Sequence, residues 1–560
     1  MRIQQTRGRA LALVALAGFF TAPQVKAQMP VAKPGSESID TYIHHGWDSL
    51  SRSMSECKSL VDPKVTTPPL LYLPLGAATP PELLRLRSQC QIRIAHLPHR
   101  IVHLGDVKTA ELPAPGLLYL PHRYVVPGGR FNEMFGWDSY FILLGLLRDG
   151  RIELGRGMVE NFFYEIANYG AVLNANRTYF LTRSQPPFLS SMIRAVYDAE
   201  LARDPSPANR ARQNQWLARA YPYARRDHDF WLSEIHQAGN TGLARYFDIG
   251  EGPVPDIADH SNYYIEVIDW LQAHPDVHTS YLVPAPQSPS PAQQAELAKT
   301  SCDASISVVC SLAWDHGYRL SHDFYQGDRA VRESGFDISN RFGPFSGSTH
   351  HYAAVCLNTL LYKYERDLAD FAGILHQPGQ AAQWTRQAEA RRQAIDKYLW
   401  NAEKGLYFDY DFTTGEQASY LYATIFYPLW TGVASKEQAA AVDKNFALLN
   451  RPGGLSTSTT ASGLQWDLPN GWAPLNWIAA DGLKKYGFVS DARRISAEFS
   501  TTINDSFGKE GTIHEKYNVE TGSSNVELIA GYQNVIGFGW TNAVYEEMKN
   551  LLKTTPPGPE

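Results

Sequence analysis

A chain of 560 residues with a formal net charge of −6 and no basic tail has nothing to grip a nucleic acid or an anionic membrane surface. Its residues are 44% hydrophobic and 12% aromatic, ample material for a large core. The five cysteines are an odd number, so at least one stays unpaired in a single chain, and none of their spacings makes a zinc site.

Residues 1–27 carry Arg2, Arg7 and Arg9, then an apolar run from Ala10 to Ala22, then Val25-Lys26-Ala27. That order has the grammar of a signal peptide cleaved near Ala27/Gln28. It predicts a periplasmic or secreted product with no membrane attachment after cleavage. The run is too short to span a bilayer, which needs about 20 apolar residues. Residues 28–120 read as an N-terminal segment that packs on the main domain. They hold short strand-like patches, "RIAHLPHRIVHL" and "GLLYLPHRYVV", and Cys57 and Cys90 as a candidate pair. Cys302 and Cys310 are near enough for a second small loop, whereas Cys356 sits in the apolar run "YAAVCLNTLLY" and reads as a buried thiol.

From about residue 139 the helical period dominates, first in "SYFILLGLLRDGRIELGRGMVENFFYEIANYG". Further helical stretches are expected near 188–203, 208–237, 258–273, 351–374, 380–400, 436–449, 474–486, 489–505 and 540–553. Long Gly/Pro/Asn/Ser-rich loops alternate with short turns, and loops of that length tend to be functional. Helical hairpins set in a ring would bring the long loops to one end; a superhelical solenoid gives a similar pattern with a more regular repeat. Residues 554–560 read as a disordered tail.

Five of the loops concentrate Trp, Arg, Asp or Glu, and Gly. They are 127–141, 174–188, 333–341, 465–474 and 511–520, the last followed by "GFGWTNAVY". A pyranose ring offers apolar faces that lie on aromatic rings and a rim of hydroxyls that needs charged or amide partners, so this composition suits a sugar site. Hydrolysis of a glycosidic bond needs two carboxyl groups, one to protonate the leaving oxygen and one to activate water or attack carbon. Asp337, between Phe336 and Ile338, suits the proton donor, because an apolar setting keeps a carboxyl protonated. Glu515, flanked by His514 and Lys516, suits the ionised partner.

Two runs carry a family resemblance. Residues 127–140 read Pro-Gly-Gly-Arg-Phe-Asn-Glu-Met-Phe-Gly-Trp-Asp-Ser-Tyr, and 465–474 read Gln-Trp-Asp-Leu-Pro-Asn-Gly-Trp-Ala-Pro. The chain resembles the trehalases, glycoside hydrolase family 37, over about 120–550 and in the family's motif order. The resemblance implies an all-α (α/α)6 barrel over 121–553, with long loops forming the active site at one end. It implies hydrolysis of α,α-trehalose to two glucose molecules with inversion, by Asp337 as general acid and Glu515 as base. It also implies sugar contacts from Arg130, Trp137, Asp138, Asn174, Arg183, Ser184, Gln185 and Gly335. Departures from the family pattern are Phe135 for Tyr, Phe336 for Trp, Asn518 for Asp, Val254-Pro255-Asp256 for a sugar-contacting run, and Ala530-Gly531-Tyr532 with Glu527 as the nearest acid. The readings weighed against this one are a related barrel hydrolase of another α-glucoside and a non-catalytic sugar-binding protein on the same scaffold.

The partner implied is the small disaccharide alone, with a monomeric chain and no metal or organic cofactor. His96, His99 and His103 are interrupted by Pro98 and read as structural. The adjacent His350 and His351 would point apart on a helix, so no shared metal is expected from them.

Overall fold

The computed structural model describes residues 31–61, 68–108, 111–254, 262–277, 279–285, 290, 313–528 and 534–556. The expected signal peptide, the Cys302–Cys310 loop, Asp256 and Ala530-Gly531-Tyr532 lie outside them.

Among the helices of the described residues, the ones that frame the molecule are α1 (Ile39–Leu50), α2 (Asp138–Arg148), α3 (Ile152–Asn168), α4 (Leu189–Arg203), α5 (Pro207–Trp231), α6 (His322–Glu333), α7 (Val355–Ile374), α8 (Pro378–Tyr398), α9 (Tyr427–Thr431), α10 (Lys436–Lys444), α11 (Ala473–Lys485), α12 (Val489–Glu510) and α13 (Gly539–Thr554). Helix α2 packs on α4, α4 on α7, α7 on α9, α9 on α11, α11 on α13, and α13 back on α2. These six close a ring. Five further helices, α3, α5, α8, α10 and α12, each follow an inner helix after a short turn, and α1 packs on α13 to complete the outer layer. The architecture is the (α/α)6 barrel that the helix–loop alternation and the resemblance predict.

Burial explains the two layers. Nearly every side chain of α2 and α11 is buried, whereas α5 and α8 bury only one stripe, including Trp216, Leu217, Ala220, Ala224 and Trp231 on α5 and Trp384, Ala388 and Ile395 on α8. An all-round apolar helix belongs inside and an amphipathic one outside. The start of α5 is fixed by Ser206, whose side chain accepts from the Asn209 amide, with Pro207 in the first turn.

Topology then sets where chemistry sits. The turns 149–151, 204–206, 375–377, 432–435 and 486–488 lead from an inner helix to an outer one. The long connections 51–137, 169–188, 232–354, 399–426, 445–472 and 511–538 lead from an outer helix to the N-terminus of the next inner one. All the long loops therefore meet at the end of the barrel where the inner helices begin. A small parallel sheet, Leu70–Leu73 between Arg93–His96 and Leu117–Leu118, lies in the first of them, and the Cys57–Cys90 disulfide ties it down. Cys356 is buried and free. Among the described residues no helix is long and apolar enough to cross a membrane.

Candidate active site

The floor of the site is aromatic. Trp137, Trp472 and Trp540 stand at the first turns of α2, α11 and α13. Trp466 stacks on Trp472 with ring centroids 3.7 Å apart, and Trp137 meets Trp466, Trp540 and Phe336 at 5.9, 5.6 and 5.4 Å. Phe336, in place of the family's Trp, fills the gap between Trp137, Trp466 and Tyr422.

Two carboxyl-bearing loops are laced to this floor by the 465–474 segment. Its Trp466 amide donates to the Ile338 carbonyl (3.1 Å), the Gln465 side-chain amide donates to the Asp337 carbonyl, and Asp467 accepts from the Asn340 amide (2.8 Å). Its end, Asn470–Trp472, pairs antiparallel with Lys516–Asn518, so that Trp472 faces Lys516. One segment thus fixes the position of both Asp337 and Glu515.

Around the carboxyls the charges are placed as follows. Arg332 Nη1 lies 3.5 Å from Asp337 Oδ2; the arginine is 3% exposed and the aspartate 18%. Lys516 Nζ donates to Glu515 Oε2 at 2.8 Å from a fully buried position over the Trp472 ring. The Glu515 backbone is held by its amide on the Val535 carbonyl (2.9 Å) and by Trp540 Nε1 on its own carbonyl (3.3 Å). Asp138, the first residue of α2, is pushed well above the usual carboxylate range, first by burial and then by the negative charges of Glu515 and Asp337. The three carboxyl groups therefore share one electrostatic environment, with two cations beside them.

The residues expected to touch sugar divide into two layers. Trp137, Asp138, Gln185 and Gly335 belong to the wall beside Asp337: the Gln185 side-chain Oε1 accepts from the Trp137 amide (3.0 Å), and Gly335 abuts the Trp137 ring. Gly335 has φ +75°, and a Cβ there would lie 2.8 Å from the Trp137 ring, so only glycine fits. Asn174, Arg183 and Ser184 are buried in a hydrogen-bonded frame. Arg183 Nε donates to Asn174 Oδ1 (2.8 Å), Arg183 Nη1 lies 3.4 Å from Asp248, and Ser184 Oγ donates to the Val172 carbonyl (2.6 Å). Arg130 is half-buried over the Phe131 ring.

Glu333, four residues before Asp337, is fully buried. It accepts from the Ser184 amide (3.1 Å) and the Phe247 amide (2.7 Å), with His236 Nε2 at 3.3 Å. Arg341 is likewise buried, in a two-pronged pair with Asp409 at 2.6 and 2.7 Å. His514 turns away to Glu510 (2.7 Å), and burial pushes its imidazole down, so it is the neutral neighbour and Lys516 the cationic one. His96 bonds the Ala77 carbonyl and His99 faces Glu111, as structural histidines do. Sequence reasoning missed Arg332, whose signal was only its place five residues before Asp337, and it misread His350 and His351. That pair lies in a 3-10 turn, Thr349–His351, rather than an α-helix, so the rings converge 4.0 Å apart instead of diverging.

Comparison with known proteins fits this geometry. A family model described as Trehalase matches residues 37–283 and 313–553. A probable trehalase of Eremothecium gossypii is 34% identical, over 90% of this chain and 71% of that one. A cytosolic neutral trehalase of Neurospora crassa is 33% identical, over 90% and 71%. The solved structure of neutral trehalase Nth1 from Saccharomyces cerevisiae is 30% identical, covers 92% of this chain and 94% of that one, and superposes with a TM-score of 0.74. The same comparison corrects the periplasmic or secreted location expected from residues 1–27. The similar chains of Neurospora crassa, Pyricularia oryzae, Saccharomyces cerevisiae and Kluyveromyces lactis are cytosolic neutral trehalases, and a periplasmic one, from Xanthomonas oryzae, matches over a shorter share of this chain. A basic start followed by a short apolar run is also the pattern of an interfacial helix, so it carries no address by itself. With the family model spanning most of the barrel and both carboxyl-bearing loops, the chain belongs to the trehalase family.

Proposed function

We propose that this chain hydrolyses α,α-trehalose to two glucose molecules with inversion at one anomeric carbon, with Asp337 as the acid and Glu515 as the base. The observation that supports it best is the shared environment of Asp337, Glu515 and Asp138 on an aromatic floor, with Arg332 and Lys516 beside the first two. The Asp337 carboxyl gives its proton to the bridging oxygen as the C1–O bond breaks. The Glu515 carboxylate takes a proton from a water whose oxygen bonds that C1 on the opposite ring face. One ring leaves as α-glucose and the other as β-glucose. Lys516 orients Glu515, and Arg332 positions Asp337. Asp138, held above the usual carboxylate range by burial and by its two acidic neighbours, bonds a sugar hydroxyl.

On this reading Arg130, Trp137, Gln185 and Gly335 contact sugar, and Asn174, Arg183 and Ser184 hold that wall in place or reach sugar through it. The catalytic barrel runs from α1 to α13, with the sheet-bearing connection between α1 and α2 buttressing it, and the chain acts as a monomer. Proton NMR of fresh product tests the stereochemistry: equal α- and β-glucose is expected before mutarotation, and α-glucose alone would overturn the inverting assignment. No observation favours another α-glucoside or a non-catalytic role.

A further inference from the structure

A second constellation lies away from the carboxyl triad. Asp323, in the first turn of α6, receives two imidazoles on a single oxygen. His350 Nε2 is 2.9 Å from Asp323 Oδ1, and His351 Nε2 is 3.2 Å from the same atom. The three ligand atoms lie within 4.8 Å of one another. The His350 side chain is 8% exposed, and its Nδ1 finds no partner among the described residues, so its ring is oriented by this cluster. Asp323 is 49% exposed and His351 27%, which leaves an open approach from solvent.

We propose that Asp323, His350 and His351 bind one divalent transition-metal ion of the Zn²⁺ class, with the remaining position left to water. Metal–nitrogen and metal–oxygen bonds of about 2.0–2.2 Å in a tetrahedral site put neighbouring ligand atoms about 3.3 Å apart. The separations of 2.9 and 3.2 Å need only a small opening to reach that. Two neutral imidazoles and one carboxylate form a donor set that selects zinc, copper or nickel over magnesium or calcium. Neither histidine belongs to the carboxyl site, and the ion has no part in the hydrolysis.

The place of the site gives it a consequence. Helix α6 runs from His322 to Glu333 and delivers Arg332 and Glu333 to the active site; the loop with Asp337 follows and returns to Thr349–His351. Asp323 and the histidine pair thus stand at the two ends of one excursion, and the ion would clasp it shut. The two ends already meet closely: a Cβ at Gly327 would fall 1.8 Å from the Gly347 carbonyl oxygen, so only a glycine at 327 lets the helix lie on that backbone.

The test uses full-length chain without a histidine tag, stripped with chelator and dialysed. Zn²⁺ is titrated by calorimetry, Tm is read with and without Zn²⁺, and Co²⁺ is used for its tetrahedral visible band. One equivalent is expected, with a Tm rise of about 2 °C or more at a hundredfold excess over Kd. His351→Ala and His350→Ala should weaken binding by at least about 100-fold and Asp323→Asn by at least about tenfold, with loss of the Co²⁺ band. His316→Ala removes the histidine of an exposed Asp269–Asp315–His316 group and should change nothing. If His350→Ala fails to fold, the more exposed Asp323 and His351 variants decide. Failure of the parent to bind, or equal affinity in Asp323→Asn and His351→Ala, would overturn the proposal. Both outcomes are independent of trehalose hydrolysis.

Discussion

Gly335→Ala is the smallest change that should disturb the acid loop. Gly335 has φ +75°, and placing alanine in that region costs about 1–2 kcal/mol. The added Cβ would sit 2.8–3.1 Å from three atoms of the Trp137 indole, closer than real contacts allow. Trp137 cannot retreat freely, because Phe141, Phe336, Trp466 and Trp540 surround it with centroids 5.4–5.9 Å away. Forcing a methyl into such packing costs about 1–3 kcal/mol, so a total of about 2–5 kcal/mol is expected. The backbone can relieve the clash by moving residues 335–337 away from the floor. A shift of about 1 Å at a positioned carboxyl can cost about 100-fold in rate. Denaturant unfolding monitored by tryptophan fluorescence, together with steady-state hydrolysis of trehalose, reads both effects. A variant with the parent's unfolding midpoint and kcat would refute the argument that Trp137 and the acid loop share one rigid contact.

Three further outcomes follow from the same geometry. Asp337→Asn and Glu515→Gln should each lower kcat by about 10²–10⁴ with the fold intact by circular dichroism, and the double variant should be little worse than either alone; a folded Asp337→Asn with near-parent activity would remove it as the acid. Glu333→Gln turns an amide N–H toward amide donors, so it should lower stability by about 1–3 kcal/mol in a melting experiment while activity at low temperature falls by less than about tenfold; a loss as large as that of Asp337→Asn would make Glu333 the acid. Asp227 is pushed up to about 7 by burial, with Tyr364 donating to it at 2.9 Å. The native state therefore keeps a proton that the unfolded chain, with a pKa of about 3.9, has released, and stability should fall as pH rises from about 4 to about 7, then level off. Asp227→Asn should remove that slope and gain on the parent between pH 5 and pH 8; an equal difference in unfolding midpoint at both pH values would exclude it.

The parts of the fold legible in sequence were those written locally. Helices α7, α8, α11 and α12 announce themselves by an apolar period, and the loop signatures at 127–140 and 465–474 name their chemistry outright. Helix α6 was not legible, because its buried side chains include Asp328, Arg329, Arg332 and Glu333. Its polarity pattern looks like a solvated segment, and only partners from elsewhere make burial tolerable: Tyr263 and Tyr264 donate to Asp328, and Asp248 faces Arg329. The structural role of Arg341 is not legible in sequence for the same reason. Its partner Asp409 is 68 residues away, and no periodicity connects the two. The disulfide between Cys57 and Cys90 was legible because closing a short loop needs only proximity.

The run 333–341 now has a physical explanation. Helix α6 ends at Glu333, and three side chains or amides of the run are tied to other elements, while Ser334 and Ser339 brace it locally. Glu333 takes amides from the 184 and 247 loops, the Asn340 amide goes to Asp467, and Arg341 grips Asp409. Asp467 itself also takes the Tyr420 hydroxyl and Ser462 Oγ, so the lacing segment is as fixed as the loop it holds. Such buried networks specify one geometry because each unmade bond would leave a desolvated charge. Asp337 is the acid of this run that keeps appreciable exposure, 18%, with Arg332 Nη1 3.5 Å from its Oδ2. A carboxyl that must give up and regain a proton at one place needs a rigid frame, and this network supplies it.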